Sequence, residues 1–292
     1  MSQTLKAVLW MSGAIVSFTT MAVAGREVSL DLDTFEIMFY RSALGMIIVC
    51  VVLSATRSWG QVTTRRMGLQ LVRNLSHFTG QNLWFYAIAT IPLAQVFALE
   101  FTSPLWVILL SPLVLGERLT KSRAVAAVFG FVGILVVTRP GAEPLSPGLV
   151  AAALTAIGFA GSAVFTRRLT RTETIACILF WLTAMQAAMG LICAGIDGDM
   201  ALPAAESWPS VVVIAIGGLV AHFCLTTALS LAPAPVVMPI AFPRLPLIAL
   251  IGMALYSEVL DPWVFVGAAI IFGANYYNIL NETGVLGRKL QK

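Results

Sequence analysis

Charge is what this chain has least of. Of its 292 residues only 11% are Asp, Glu, Lys or Arg, and 59% are hydrophobic, with a mean hydropathy of +0.90. A soluble globular domain carries about 25% charged residues. A chain this poor in polar groups cannot cover a surface that faces water, so its solvent is lipid. Histidine is nearly absent, with two copies, and there are four cysteines. Cys50, Cys177, Cys193 and Cys224 all lie in apolar stretches without CxxC spacing. They read as small buried hydrophobes and not as metal ligands or disulfide partners. Two histidines with no third ligand in view leave no metal site. The chain also lacks a GxxxxGK[ST] loop, an HExxH pair and a GxSxG turn. P-loop ATP hydrolysis, zinc peptidase and serine hydrolase chemistry therefore have no residues to work with. Ser162 follows Gly158 and Gly161 but has no histidine near it in the sequence. No cofactor is expected, and an enzyme is not.

What the chain does have is long apolar runs. A membrane helix needs about 20 such residues, and ten candidates are legible. They span 5–24, 34–56, 70–90, 93–115, 122–138, 147–166, 174–195, 210–231, 234–256 and 262–281. Only short connections remain between them, so no soluble domain fits. The expected fold is an all-α integral membrane protein of ten transmembrane helices. Lys6, an apolar run and Ala22-Val23-Ala24 resemble a secretory leader. That stretch is also one copy of an internal repeat, so it is expected to stay as the first helix.

The net charge of +4 and pI near 9.0 could suggest nucleic acid, but the placement of the charges points elsewhere. With the N-terminus on the cytoplasmic side, thirteen of the eighteen Lys and Arg fall in cytoplasmic connections or tails. Arg26 and Arg139 fall outside, and Arg41, Arg73 and Arg244 lie within segments. The excess of positive charge inside sets topology. The expectation is a multi-pass protein of the inner (plasma) membrane with both termini cytoplasmic and no nucleic-acid partner.

The chain reads twice at an offset of 141. Phe18, Ala22, Val23 and Arg26 match Phe159, Ala163, Val164 and Arg167; Ala87 and Pro92 match Ala228 and Pro233; Glu117 matches Glu258. Each half, 1–141 and 142–292, holds five apolar segments. Five is odd, so the second copy enters the membrane from the opposite side. Inverted repeats around a central cavity are a carrier architecture. With Leu115-Gly116-Glu117-Arg118 after the fourth segment, Met253-Ala254-Leu255-Tyr256-Ser257-Glu258 in the ninth, and Arg41 in the second, the chain resembles the drug/metabolite transporter superfamily, in particular the EamA-type ten-helix carriers. That resemblance implies small-metabolite transport, and its amino-acid exporter branch, aromatic substrates included, is the one this chain looks most like. The second half departs from the family pattern at the arginine, with Trp181 in Leu179-Phe180-Trp181 in its place.

Polar groups inside a membrane are costly and mark candidate sites. In the third segment Asn74, His77, Phe78, Gln81 and Phe85 follow the spacing of one helical face. They can line a cavity, or simply bond neighbouring helices. The eighth segment carries Gly218, His222, Thr226 and Ser230 on one stripe, with His222 in register with Gln81. Glu100, the acid deep in the fourth segment, is followed by Trp106. It can pair with Arg41, Arg73 or Arg244, or couple protons. The ninth segment contains Pro239, Phe242, Pro243, Arg244 and Pro246. Prolines there should kink or break the helix and serve as a hinge. Arg244 can grip a carboxylate or pair with Glu100. Trp181 and Phe242 complete a candidate aromatic pocket. Gly130, Gly133, Gly267 and Gly273 read as close-packing surface in the fifth and tenth segments, within one chain or between two copies of a homodimer.

The function these residues suggest is secondary active or facilitative transport by alternating access, with aromatic or large neutral amino acids exported. A multidrug or other metabolite carrier of the same fold is the alternative. A channel or membrane-embedded enzyme has less to support it.

Overall fold

The computed structural model describes the backbone of residues 3–116, 121–140, 145–196, 198, 200–231, 241 and 243–282, and their side chains except at 3, 4, 115, 226, 229, 230, 279 and 282. Within these residues every regular element is helical. In chain order they are α1 (Gln3–Val28), α2 (Thr34–Ala55), a short 3₁₀ turn (Trp59–Gln61), α3 (Met67–Thr90), α4 (Leu93–Glu100), α5 (Ser103–Leu115), α6 (Lys121–Thr138), α7 (Pro147–Leu169), α8 (Ile175–Ala194), α9 (Trp208–Leu231), α10 (Arg244–Tyr256) and α11 (Pro262–Glu282). Seven of the described helices, with α4 and α5 taken together, are long and apolar enough to cross a membrane. The protein is an all-α, multi-pass membrane protein of the expected ten-segment kind.

Local chemistry starts these helices where hydrogen-bonding side chains are available. Asp33 caps α2 by accepting from the Phe35 and Glu36 amides at 2.7 and 2.9 Å, and Glu36 accepts the Asp33 amide at 2.8 Å, closing a capping box. Ser146 caps α7 through the Leu149 amide, with Pro147 in the first turn. Thr174 caps α8 through the Cys177 amide.

The fourth segment does not run straight through. It breaks between α4 and α5, just ahead of Pro104 at the second position of α5. Proline cannot donate to the carbonyl four residues back. That carbonyl, of Glu100, instead accepts the Ser103 hydroxyl at 2.7 Å, and the Phe101 carbonyl accepts from Asn275 of α11 at 3.2 Å. Broken backbone in a membrane must find partners in the protein, and here it does.

The second half has a matching helix at the corresponding place. α5 spans 103–115 and α10 spans 244–256, each 13 residues long and offset by 141. Both end on a left-handed residue, Gly116 at φ 69° and Ser257 at φ 53°. Pro243 caps α10 and Pro246 sits in its first turn, where a missing N–H leaves no helical bond unmade. Within the described residues Pro246 therefore starts a helix and does not kink one. Pro239 and Phe242 lie outside the described residues, as do Glu117 and the prolines at 233 and 235.

Packing follows the same two-fold relation. The most extensive contacts are α1 on α9, α3 on α7, α2 on α8 and α6 on α11. Under the 141-residue offset, α1–α9 becomes α7–α3, while the other two pairs map onto themselves. Glycines allow the closest approaches. A methyl group on Gly158 would lie 2.6 Å from the Gly80 Cα, and one on Gly267 would lie 2.8 Å from the Gly133 carbonyl oxygen. Gly133 and Gly267 thus join the fifth and tenth segments within one chain. Gly130 faces Leu105 of α5, while Gly273 meets open space.

Candidate functional site

α3 stands out for a buried polar face. At 24 residues it is long enough to cross but not apolar enough, because Gln70, Arg73, Asn74, His77, Gln81 and Asn82 are all buried along it. Neighbouring helices must cover this face, and α7, α8, α1 and α2 do so.

Where α3 and α7 meet α1 and α9, four rings form a row. Phe18 of α1 lies edge-on to His222 of α9 at 5.7 Å between centroids. His222 meets His77 of α3 at 5.5 Å, also edge-on, and His77 lies 5.8 Å from Phe159 of α7. Such edge-to-face spacings are favourable for ring pairs. The outer rings, Phe18 and Phe159, are repeat mates, while His77 and His222 fall opposite Gly218 and Gln81; the row draws two rings from 1–141 and two from 142–292.

Around this row buried polar atoms stand without hydrogen-bond partners. They include His77 Nε2, Gln81 Nε2, Arg41 Nη1, the Ser42 hydroxyl and the Thr19 hydroxyl. The Ser162 hydroxyl is 3.5 Å from His77 Nδ1, so the fold supplies the neighbour that Ser162 lacks in the sequence. Arg41, Ser42, Thr183, Gly218 and His222 line a cavity of about 10 Å³ beside the row, room for one water. Buried polar groups are nearly always bonded in folded proteins. Here a cluster of unbonded ones stands beside edge-on and tilted rings.

Glu100 and Arg244 adjoin the row. Arg244 donates to Glu100 at 3.1 Å, and the Trp84 indole donates to the other carboxylate oxygen at 2.9 Å. The guanidinium lies over the Phe97 ring at 4.2 Å and over Phe18 at 5.0 Å. Of the partners open to Glu100, the fold selects Arg244. Phe18 is shared between this ion pair and the ring row.

The other candidates fall elsewhere. Asn74 is fully occupied in joining α3 to α8: its amide donates toward Gln70, Trp181 and Met185 and it accepts from Arg73. Phe78 stacks on Phe35 at 6.1 Å. Phe85 is completely buried against Trp84 and Gly25. Trp181 lies at the start of α8, where its indole holds the Thr63 carbonyl at 2.8 Å. Trp106 is half-buried on α5. Thr226 is on α9, but its side chain is outside the described residues. Arg41, Phe18, Phe159 and Ser162 join His77, Gln81, His222, Glu100 and Arg244 as the residues the fold brings together. Phe18 and Phe159 carried a signal in the sequence as the first matched pair of the repeat.

One end of the bundle is tied shut across the halves. Arg26 of α1 pairs with Glu258, which also accepts the Leu93 amide at 3.0 Å. Arg26 lies over the Tyr256 ring at 4.7 Å and donates to the Ile91 carbonyl. Tyr256 donates to Glu27 at 2.8 Å, Arg139 pairs with Asp261, Tyr40 donates to the Ala201 carbonyl at 2.7 Å, and Glu36 accepts the Ala201 amide. At the opposite end, four arginines surround a cavity of about 570 Å³.

The model of a family described as "EamA-like transporter family" matches residues 5–139. A riboflavin transporter of Brucella anthropi is 31% identical over 265 residues, covering 89% of this chain and 92% of that protein. An S-adenosylmethionine uptake transporter of Rickettsia bellii is 24% identical, with 96% of each chain covered. A pseudopaline exporter of Pseudomonas aeruginosa is 29% identical, covering 88% of this chain and 90% of that one. None of these names supports the amino-acid branch. A solved crystal structure superposes with a TM-score of 0.67 at 19% identity over 98% of this chain and 99% of that one, a likeness of fold.

Proposed function

The chain belongs to the EamA-like transporter family, and from that premise we propose that it carries a flat, ring-bearing metabolite, with riboflavin the first solute to test. The chain is a membrane transporter of small metabolites. The observation that carries the substrate reading is the Phe18–His222–His77–Phe159 row with unbonded Gln81, His77 and Arg41 groups around it. A flat heterocycle inserted among these rings gains stacking on its faces and hydrogen bonds along its edges. The row draws on both halves, so rocking one half against the other exposes it to alternate sides. In this reading the halves divide at 141/142, one chain is the transport unit, and both termini face the cytoplasm of the inner membrane. The bias of Lys and Arg supports that orientation.

A second reading is favoured by one residue. The Arg41 guanidinium, 7% exposed and with Nη1 unbonded beside His222, matches a carboxylate. That favours an aromatic or large neutral amino acid. Counterflow into proteoliposomes with labelled riboflavin, S-adenosylmethionine, phenylalanine and tryptophan separates the readings. Riboflavin exchange lost in His77→Ala and His222→Ala is the expected result. Exchange of the amino acids alone, lost in Arg41→Gln, selects the second reading. Movement of a cationic dye with none of the four solutes refutes both.

A further inference from the structure

The larger cavity lies away from the ring row. Arg65, Arg66, Gly68, Leu69, Val72, Arg168, Arg171 and Thr172 line its volume of about 570 Å³, between the start of α3 and the end of α7. A space of that size is typical of a ligand pocket. All four arginines are exposed, and among the described residues none of the four is ion-paired. Arg168 has one bond, to the Val114 carbonyl at 3.4 Å. A methyl group on Gly68 would meet nothing within 4 Å, so the backbone there is open to the cavity. The wall changes character along α3. Past the arginines come Leu69 and Val72, and the exposed Leu71, Val72 and Leu75 continue as an apolar strip along the same helix. On α3 and α7 the next polar contact is Arg73 to Thr166 at 3.1 Å, followed by the close approach at Gly80 and Gly158. The two helices are thus sealed to each other beyond the cavity, which opens outward and not toward the rings.

A cationic rim over an exposed apolar helix face has the polarity of a phospholipid. Arginine forks match phosphate oxygens bidentately, and basic pockets between membrane helices suit anionic headgroups. A free phosphate has no use for the strip below. We propose that this notch binds the phosphate headgroup of an anionic phospholipid, with an acyl chain lying along Val72 and Leu75. Placing the lipid in the cytoplasmic leaflet rests on the orientation proposed above; the binding itself does not. A lipid held there ties α3 to α7, the helices that carry His77 and Phe159.

The test is native mass spectrometry of the purified full chain in detergent, titrated with phosphatidylglycerol or phosphatidylcholine. The wild type should retain phosphatidylglycerol selectively. R168Q/R171Q and R65Q/R66Q should weaken retention by about tenfold or more, since each arginine near a headgroup contributes appreciably. The charge-matched control K6Q/R57Q should stay within about twofold of wild type, because charge removed away from the notch leaves local contacts intact. Equal retention in R168Q/R171Q and the control overturns the site. Displacement of the lipid by millimolar inorganic phosphate assigns the arginines to a free anion and overturns the lipid. Lipid retention is read without transport, so failure of the riboflavin reading leaves it standing.

Discussion

Gly158→Ala is the substitution that loads the packing of the site most directly. The added methyl would sit 2.6 and 2.8 Å from the Gly80 Cα and N and 3.0 Å from the Ser76 carbonyl oxygen. All three neighbours are backbone, so no side chain can rotate away. Ordinary contact begins near 3.4 Å, so α3 and α7 must separate by roughly 0.8 Å, an overpacking that costs about 1–3 kcal/mol. Alanine recovers about 0.5–1 kcal/mol of helix propensity, which leaves a net loss of about 1 kcal/mol at mid-range. The expected reading is a fall of a few degrees in melting temperature, followed by tryptophan fluorescence in detergent. Transport should fall further than stability, because Phe159 and His77 ride on the separated faces. Gly273→Ala is the control: nothing lies within 4 Å of its added methyl, so it should melt at or above wild type. A Gly158→Ala protein as stable as Gly273→Ala, with unchanged transport, would refute the close approach of α3 and α7.

Three further outcomes follow from the geometry. Arg244→Gln leaves the half-buried Glu100 beside Trp84 without its cation; loss of one partner costs about 3–5 kcal/mol in a fully buried pair and less in this half-buried one, and the Glu100→Gln/Arg244→Gln double variant should regain part of the loss in denaturant melts. A double variant no more stable than Arg244→Gln would deny the pairing. Ser257 holds a left-handed conformation that Gly116 holds in the first half, so Ser257→Gly should stabilise by about 0.4–1 kcal/mol, and a lower melting temperature counts against it. The Ala204 amide and then Ser207 hold the Asp31 carboxyl below its ordinary range. A depressed carboxyl stabilises above its unfolded value and loses that contribution as pH falls through the folded one. Wild type should therefore melt above Asp31→Asn near neutrality, and the gap should close in acid; a gap that widens in acid contradicts the bond.

Much of this was legible in the residues. The break at Ser103, the start of α10 at Arg244 and the left-handed ends at 116 and 257 share the offset that matched Phe18 to Phe159 and Glu117 to Glu258. The polar face of α3 was legible from its spacing, because lipid tolerates such a face only when other helices cover it. Spacing along one helix does not say which neighbour covers which residue. Asn74 and His77 share that face, yet one bonds α8 and the other meets His222 and Phe159. Trp181 and Arg41 both read as cavity candidates, but the indole stays at the Thr63 loop while the guanidinium reaches His222. Phe18 and Phe159 lie on helices with little polar signal, and the repeat is what pairs them.

In the proposed mechanism solute binds at the ring row. The most direct measure of this is equilibrium binding of riboflavin to the purified protein, followed by quenching of flavin fluorescence. Removing one stacking ring forfeits about 0.5–1.5 kcal/mol, so Phe159→Leu and Phe18→Leu should each weaken binding several-fold and His77→Ala more. Phe78→Leu and Trp181→Phe, whose rings lie elsewhere, should bind as wild type does. Undiminished binding in the row variants, with loss in Phe78→Leu or Trp181→Phe, would contradict the account.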